Sequence, residues 1–365
     1  MALIPVNDLS RWNPDDLAII NQRIAEVVAS GHFMLGKQNH AFELELSDRL
    51  GGMGVVSVGN GTDALSIAIL GLELEPGSAI ITVANAGGYA TGAILRTGHV
   101  PVLVDTNLFD AQIDIQHLKI LLQTTPSVST VVVTHLYGLM ADIRAVCELA
   151  AAFGVKVIED CAQSIGASQD GRWSGAWGDA STFSFYPTKN LGALGDGGAV
   201  AFRNESNLAI ARQCAQYGWS ERYVISTEGG FNTRLDEIQA AVLLHRITSL
   251  ADQNLRRRQI VRRYSEALSN TRHMVWADND SYVGHLAVMV SPQRTQDIEV
   301  LIRNEIGTGI HYPVLDNQQP AWKKYFQDVS LPSSTQLVES IVTLPCFPSM
   351  TEEEIQRVCV ALAVL

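Results

Sequence analysis

The chain has 365 residues, 47% hydrophobic and 18% charged, a composition that excludes a disordered or low-complexity protein. Its formal net charge of −12 leaves a nucleic-acid backbone no general attraction to it. Five scattered cysteines without a CxxC pair argue against a disulfide scaffold or a cysteine zinc site, and no apolar run suits a membrane span or an export signal. The expected location is the cytoplasm, with neither membrane nor nucleic acid as a partner.

At this length one large domain of about 200 to 250 residues plus a smaller one is expected. The first motif in chain order is the turn Gly59-Asn60-Gly61-Thr62-Asp63, which runs into an apolar-periodic helix over 64–72. Such a turn offers backbone N–H groups, a helix dipole and the Thr62 hydroxyl to an anion; plain capping by Asn60 or Thr62 accounts for the same residues. Buried-strand patterns follow at Ala79–Val83, Val100–Val104, 130–134 and 155–158, alternating with helical segments. That rhythm predicts an α/β protein whose mostly parallel sheet is flanked by helices.

A helix expected over 140–153 passes through Gly154 into the strand over 155–158, which places Asp160 at a carboxyl end, where open α/β sheets collect ligands. An aspartate there caps a helix, binds a metal, or holds a pyridine nitrogen protonated so that the ring accepts electrons. No set of His and carboxylate ligands accompanies it, so no metal is expected. Farther on, Lys189 stands among aromatic and apolar neighbours ahead of glycines at 192, 195, 197 and 198. Burial would lower its pKa toward the free amine that attacks an aldehyde; the alternative is a loop lysine that snorkels to solvent. No Walker pattern or dinucleotide fingerprint is present, so the expected phosphate belongs to neither ATP nor NAD.

Residues 236–268 read as helical, short strands are expected near 281–290, and a final helix after 351 completes a smaller α+β lobe. The domains are therefore placed at 1–248 and 249–365. Arg256, Arg257, Arg258, Arg262 and Arg263 recur at helical spacing and are expected to form a solvated helix face.

An anion-binding helix start, a strand-end carboxylate and an aromatic-flanked lysine together suit pyridoxal phosphate far better than each does alone. At this point a resemblance becomes specific. The motifs GHFMLGKQNHAFE (31–43), VGNGTDAL (58–65), THLYG (134–138), VIEDCAQSIGA (157–167), GDASTFSFYPTKNLGALGDGGA (178–199), GGFNTRLDEIQAA (229–241), GIHYP (309–313) and LPCFPSMTEEE (344–354) resemble the sugar aminotransferases named for DegT, DnrJ, EryC and StrS, of fold type I. The resemblance implies that Lys189 forms the Schiff base and shuttles the proton. It likewise pairs Asp160 with the pyridine nitrogen, puts Gln163 against the cofactor ring or its hydroxyl, and gives the phosphate to Gly61, Thr62 and Ser184. Asn232 would reach the phosphate of the neighbouring subunit, which implies a homodimer with shared active sites. Tyr186, His311 and Tyr312 match positions near the sugar in relatives.

Family members carry an aromatic two residues before an Ala-Thr pair, whereas here Gly88 directly precedes Tyr89-Ala90-Thr91. Tyr89 therefore either covers the cofactor ring or packs in the core. The implied reaction has two halves: L-glutamate leaves its nitrogen as pyridoxamine phosphate, and a keto sugar receives it. YPTKNLGALGDGG resembles the branch acting on 3-keto sugars of dTDP or UDP. Other members act on 4-keto nucleotide sugars, cyclitols or an eight-carbon keto sugar acid, and a non-catalytic regulatory protein that keeps the cofactor is the alternative of another class. Dehydratases of the family carry histidine in place of the lysine, and Lys189 argues against that reading.

Overall fold

The Val- and Ile-rich runs pair into one seven-stranded sheet in a computed structural model that describes residues 2–268 and 271–365. In chain order come α1 (Pro14–Ser30), α2 (Lys37–Arg49), β1 (Gly54–Val58), α3 (Gly61–Gly71), β2 (Ala79–Val83), α4 (Tyr89–Arg96), β3 (Val100–Val104), α5 (Ile115–Thr124), β4 (Val128–Thr134), α6 (Ile143–Phe153) and β5 (Lys156–Asp160). A small hairpin, β6 (Ser168–Gln169) with β7 (Arg172–Trp173), precedes β8 (Ala180–Ser184), β9 (Gly198–Phe202) and α7 (Glu205–Cys214). An exposed hairpin, β10 (Trp219–Glu221) with β11 (Val224–Ile225), leads to α8 (Glu237–Arg246).

The sheet order is β1-β9-β8-β5-β4-β2-β3; only β9 runs antiparallel to its neighbours. The mostly parallel mixed sheet flanked by helices is thus the architecture expected. Because β1 and β8 both oppose β9, the carboxyl ends of β1, β2, β4, β5 and β8 share one edge.

Strand β5 continues two residues beyond the expected 155–158, through two carboxylates. Glu159 is tolerated there, fully buried, because its oxygens accept N–H groups from Gly175, Trp177 and Gly178 at 2.7–2.9 Å and face His135 Nε2 at 3.0 Å. Cys161 completes this tight group beneath the sheet edge, and the saturated Glu159 marks it as a hydrogen-bonded support. Helix α6 starts at Ile143 rather than 140, where the Asp142 side chain accepts from the Ala145 N–H, and it ends at Gly154 with φ 69°.

The C-terminal lobe consists of α9 (Leu250–Ala267), β12 (His273–Val275), β13 (Ala287–Val290), α10 (Arg294–Arg303), α11 (Pro332–Ser340), β14 (Ile341–Leu344) and α12 (Glu352–Leu362), with β12, β13 and β14 antiparallel. Of the stretch 281–290 only its end is strand. Tyr282 instead bridges to Leu139 and is buried between the lobes. One hydrophobic core runs through both, from Ile81, Val133 and Tyr137 to Val288, Leu344 and Val358. The N-terminal residues join the C-terminal lobe as well: Ile4 exchanges backbone hydrogen bonds with Glu305 and Gly307, and the Cys346 N–H donates to the Val6 carbonyl.

The arginine run differs from expectation. Arg257 is buried beneath Gly284 and donates to the Cys346 carbonyl at 2.7 Å. Arg256 and Arg263 reach Glu352, Arg258 reaches Asp280, and Arg262 reaches Asp278, so the run fastens α9 to its own lobe. Helical spacing cannot tell a solvated face from one laid against neighbouring carboxylates and carbonyls. Among the described residues, no helix is long and apolar enough to cross a membrane.

Candidate active site

The shared edge of strand ends opens onto a cavity of about 630 Å³, ample for a cofactor and part of a second molecule. Gly61, Thr62, Tyr89, Asp160, Gln163, Ser184, Tyr186, Lys189, His311 and Tyr312 all line it. Of the residues singled out in the sequence, Asn232 alone stands off this wall.

At one end lies the start of α3. The Asn60 side chain accepts the Asp63 N–H at 2.8 Å, which leaves the Gly61 and Thr62 amides, at the first two helical positions, without an intrahelical partner. Capping and anion binding are therefore compatible here. A Cβ on Gly61 would stand 2.7 Å from Ser184 Cβ, and one on Gly198 would stand 2.5 Å from the Asn60 carbonyl carbon. Only glycine permits this approach, which brings the Ser184 hydroxyl to the helix start. The result is an anion site with hydroxyl and amide donors. Asn232 is exposed, but Thr233 beside it accepts the Gly59 N–H at 2.9 Å, so the segment abuts the same turn.

The floor is Asp160. Its Oδ1 accepts from the Ala162 N–H at 3.1 Å and its Oδ2 from the Thr134 hydroxyl at 3.3 Å. Burial raises its pKa, opposed by the Ala162 N–H and by the charge of Lys189. Lys189 opens onto the cavity yet is enclosed by protein; desolvation lowers its pKa to about 8, partly offset by Asp160. The snorkelling alternative does not hold. A lysine so poised is a nucleophile toward an aldehyde near neutral pH.

Gln163 has a fixed orientation, because its Oε1 accepts the Tyr137 N–H at 2.7 Å. Its NH₂ group therefore lines the cavity and donates to the Tyr312 hydroxyl at 3.2 Å. His311 Nδ1 lies 2.8 Å from the Thr343 hydroxyl, and its carbonyl accepts from the Tyr137 hydroxyl at 2.6 Å. Tyr186 is exposed on the cavity edge. Tyr89 is not a core residue: 49% of it is exposed, and its ring meets Tyr312 edge-on, centroids 6.1 Å apart. Two glycines in left-handed backbone, Gly87 at φ 81° and Gly88 at φ 83°, deliver it there, and any Cβ on Gly88 would collide with Trp322. Sequence reasoning missed Thr134, Asn60 and, above all, His285, which also lines the cavity.

Comparison with known proteins agrees with this chemistry. Residues 14–363 match the DegT/DnrJ/EryC1/StrS aminotransferase family. The chain belongs to that family. It is 37% identical over 363 residues, 99% of both chains, to a dTDP-3-amino-3,6-dideoxy-alpha-D-galactopyranose transaminase from Aneurinibacillus thermoaerophilus. Among solved structures it resembles DesV of S. venezuelae in complex with a ketimine intermediate, with TM-score 0.93, 32% identity and coverage of 100% and 98% of the two chains. It also resembles NtdA of Bacillus subtilis with bound cofactor PMP, with TM-score 0.91, 29% identity and coverage of 99% and 84%. The protein is thus a pyridoxal-phosphate-dependent sugar aminotransferase of fold type I. Its residues fit that cofactor: the glycine-permitted start of α3 suits a phosphate, Asp160 a ring nitrogen, the Gln163 amide a ring hydroxyl, and Lys189 an aldehyde.

Proposed function

We propose that the enzyme moves the amino group of L-glutamate to C-3 of a dTDP- or UDP-linked 3-keto sugar. The observation that carries the reading is the Lys189 amine, its pKa lowered to about 8, above a buried Asp160 in a cavity that begins at an anion-binding helix start. Gly61, Thr62 and Ser184 hold the phosphate, Asp160 keeps the ring nitrogen protonated, and Gln163 donates to the ring hydroxyl. Bound pyridoxal phosphate supplies the electron sink that lets a Cα proton leave. Lys189 Nζ takes that proton and returns it to the neighbouring carbon, so one residue serves both halves of the reaction. Tyr89 covers the ring, while Tyr186, His311 and Tyr312 face the sugar. Asn232 reaches the phosphate of a second copy, so the working unit is a homodimer. The C-3 assignment rests on the dTDP-3-amino sugar relative and the motif after the lysine.

The test is the visible absorbance of the purified protein with pyridoxal phosphate, before and after L-glutamate, followed by screening of 3-keto and 4-keto nucleotide sugars. A Schiff-base band that fades with glutamate and returns with a 3-keto sugar supports the proposal. A band that no amino donor changes would favour a regulatory protein, and return with a 4-keto sugar alone would overturn the C-3 assignment.

A further inference from the structure

His285 stands on the cavity wall between Tyr282 and β13, and the reaction as described gives it nothing to do. Its protonation is decided by a relay of amides. Asn190, the residue after Lys189, donates through Nδ2 to the Val283 carbonyl at 3.0 Å and to Asn254 Oδ1 at 2.7 Å. Asn254 is held by its own donation to the Ile165 carbonyl at 3.0 Å. A carbonyl only accepts, so neither amide can be reversed, and Asn190 Oδ1 is the atom 3.0 Å from His285 Nδ1. Nδ1 therefore carries the hydrogen, and in a neutral ring Nε2 is a bare lone pair. Burial holds the ring neutral, far below its ordinary pKa, and the charged or titratable groups that face it, Lys189, Arg257 and His311, all push the same way.

We propose that His285 Nε2 is the acceptor that holds the Lys189 amine in place whenever that amine is free of the cofactor, which makes His285 a positioning residue for the proton shuttle. The inference rests on the assignment of Lys189 as the Schiff-base lysine. The geometry supports it in three ways. Both side chains line one cavity, and the relay that locks the imidazole is anchored on the residue next to the lysine. The Asp160 oxygens are already engaged by Ala162 and Thr134, so the free amine needs a further acceptor. A neutral acceptor also suits the task, because a second carboxylate would draw the lysine pKa back up from about 8.

The test compares His285→Phe, which keeps a flat ring but loses the acceptor, with His285→Gln, whose amide can serve Asn190 through Nε2 and the lysine through Oε1. Capture of pyridoxal phosphate by cofactor-free protein is followed by visible absorbance across pH, and the glutamate half-reaction by single turnover. His285→Phe should still form the Schiff-base band, but capture and half-reaction should slow roughly tenfold to a hundredfold. The pH midpoint of capture should fall below the wild-type value, since the ammonium loses an acceptor, and His285→Gln should recover most of the rate. Wild-type rates and midpoint in the Phe variant, or a Gln variant as slow as the Phe variant, would overturn the proposal. Should the Phe variant not fold, a Gln variant indistinguishable from wild type supports it and a slow one overturns it. A wild-type protein that forms no band overturns the assignment of Lys189 instead.

Discussion

The two walls of the cavity are built differently. The wall from the large lobe offers backbone amides at the start of α3, a carboxylate at the end of β5 and a lysine eight residues from the start of β9's first glycine neighbours, all within 59–198. The wall from the C-terminal lobe offers His285, His311 and Tyr312, whose hydrogen-bonding state is set by partners remote in sequence: Asn190, Thr343 and Gln163. Charge is concentrated on the first wall, in Asp160 and Lys189, whereas burial and the lysine hold both histidines of the second toward neutrality. The contrast separates two tasks. A charged wall of fixed backbone geometry suits the cofactor, and a neutral wall of adjustable side chains suits the acceptor sugar and the aim of the lysine.

Substitutions on either wall should break or sharpen that separation. The largest effect belongs to Lys189→Ala, which should remove the Schiff-base band and lower turnover roughly ten-thousandfold or more. In the wild type, capture of the cofactor should rise with pH and level off above about 8, where the amine is deprotonated, rather than near the ordinary 10.5; a persistent band in the variant would mean that another group reacts. Asp160→Asn keeps the volume and removes the charge, so the glutamate half-reaction should slow about a hundredfold to a thousandfold in single turnover, with KM for the sugar unchanged. On the opposite wall, His311→Ala should raise KM for the keto sugar about tenfold to a hundredfold while leaving the cofactor band and the glutamate half-reaction intact. Weakened cofactor binding in that variant would show that the walls do not divide their work. The smallest change expected is a roughly tenfold loss of cofactor affinity in Asn232→Ala, read by equilibrium titration of the dimer; unchanged affinity would exclude the contact across the interface.

Much of the first wall was legible in the sequence because its chemistry follows from short stretches of chain. A Gly-rich turn before an apolar helix, an aspartate after a Val-Ile run and a lysine among aromatics each announce their surroundings, and the structure gathers them in one cavity. The second wall was not legible without the family resemblance. His285 precedes a short strand with nothing in its spacing to mark it, and its tautomer depends on Asn190 and Asn254, which lie 95 and 31 residues away along the chain. Arg257 was misread because helical periodicity reports which residues share a face, not what covers that face. Strand β5 outran its apolar pattern because Glu159 found four hydrogen-bonding partners in distant loops.

Ile81 and Tyr137 share a core with Leu344 and Val358, so neither lobe has a seam along which it could melt alone. Heating should then unfold the whole chain in a single cooperative transition, and a cofactor that binds only the native state raises that one melting temperature by mass action. Damage to the packing of the last helix would in consequence appear as poor cofactor retention, although no residue of that helix lines the cavity.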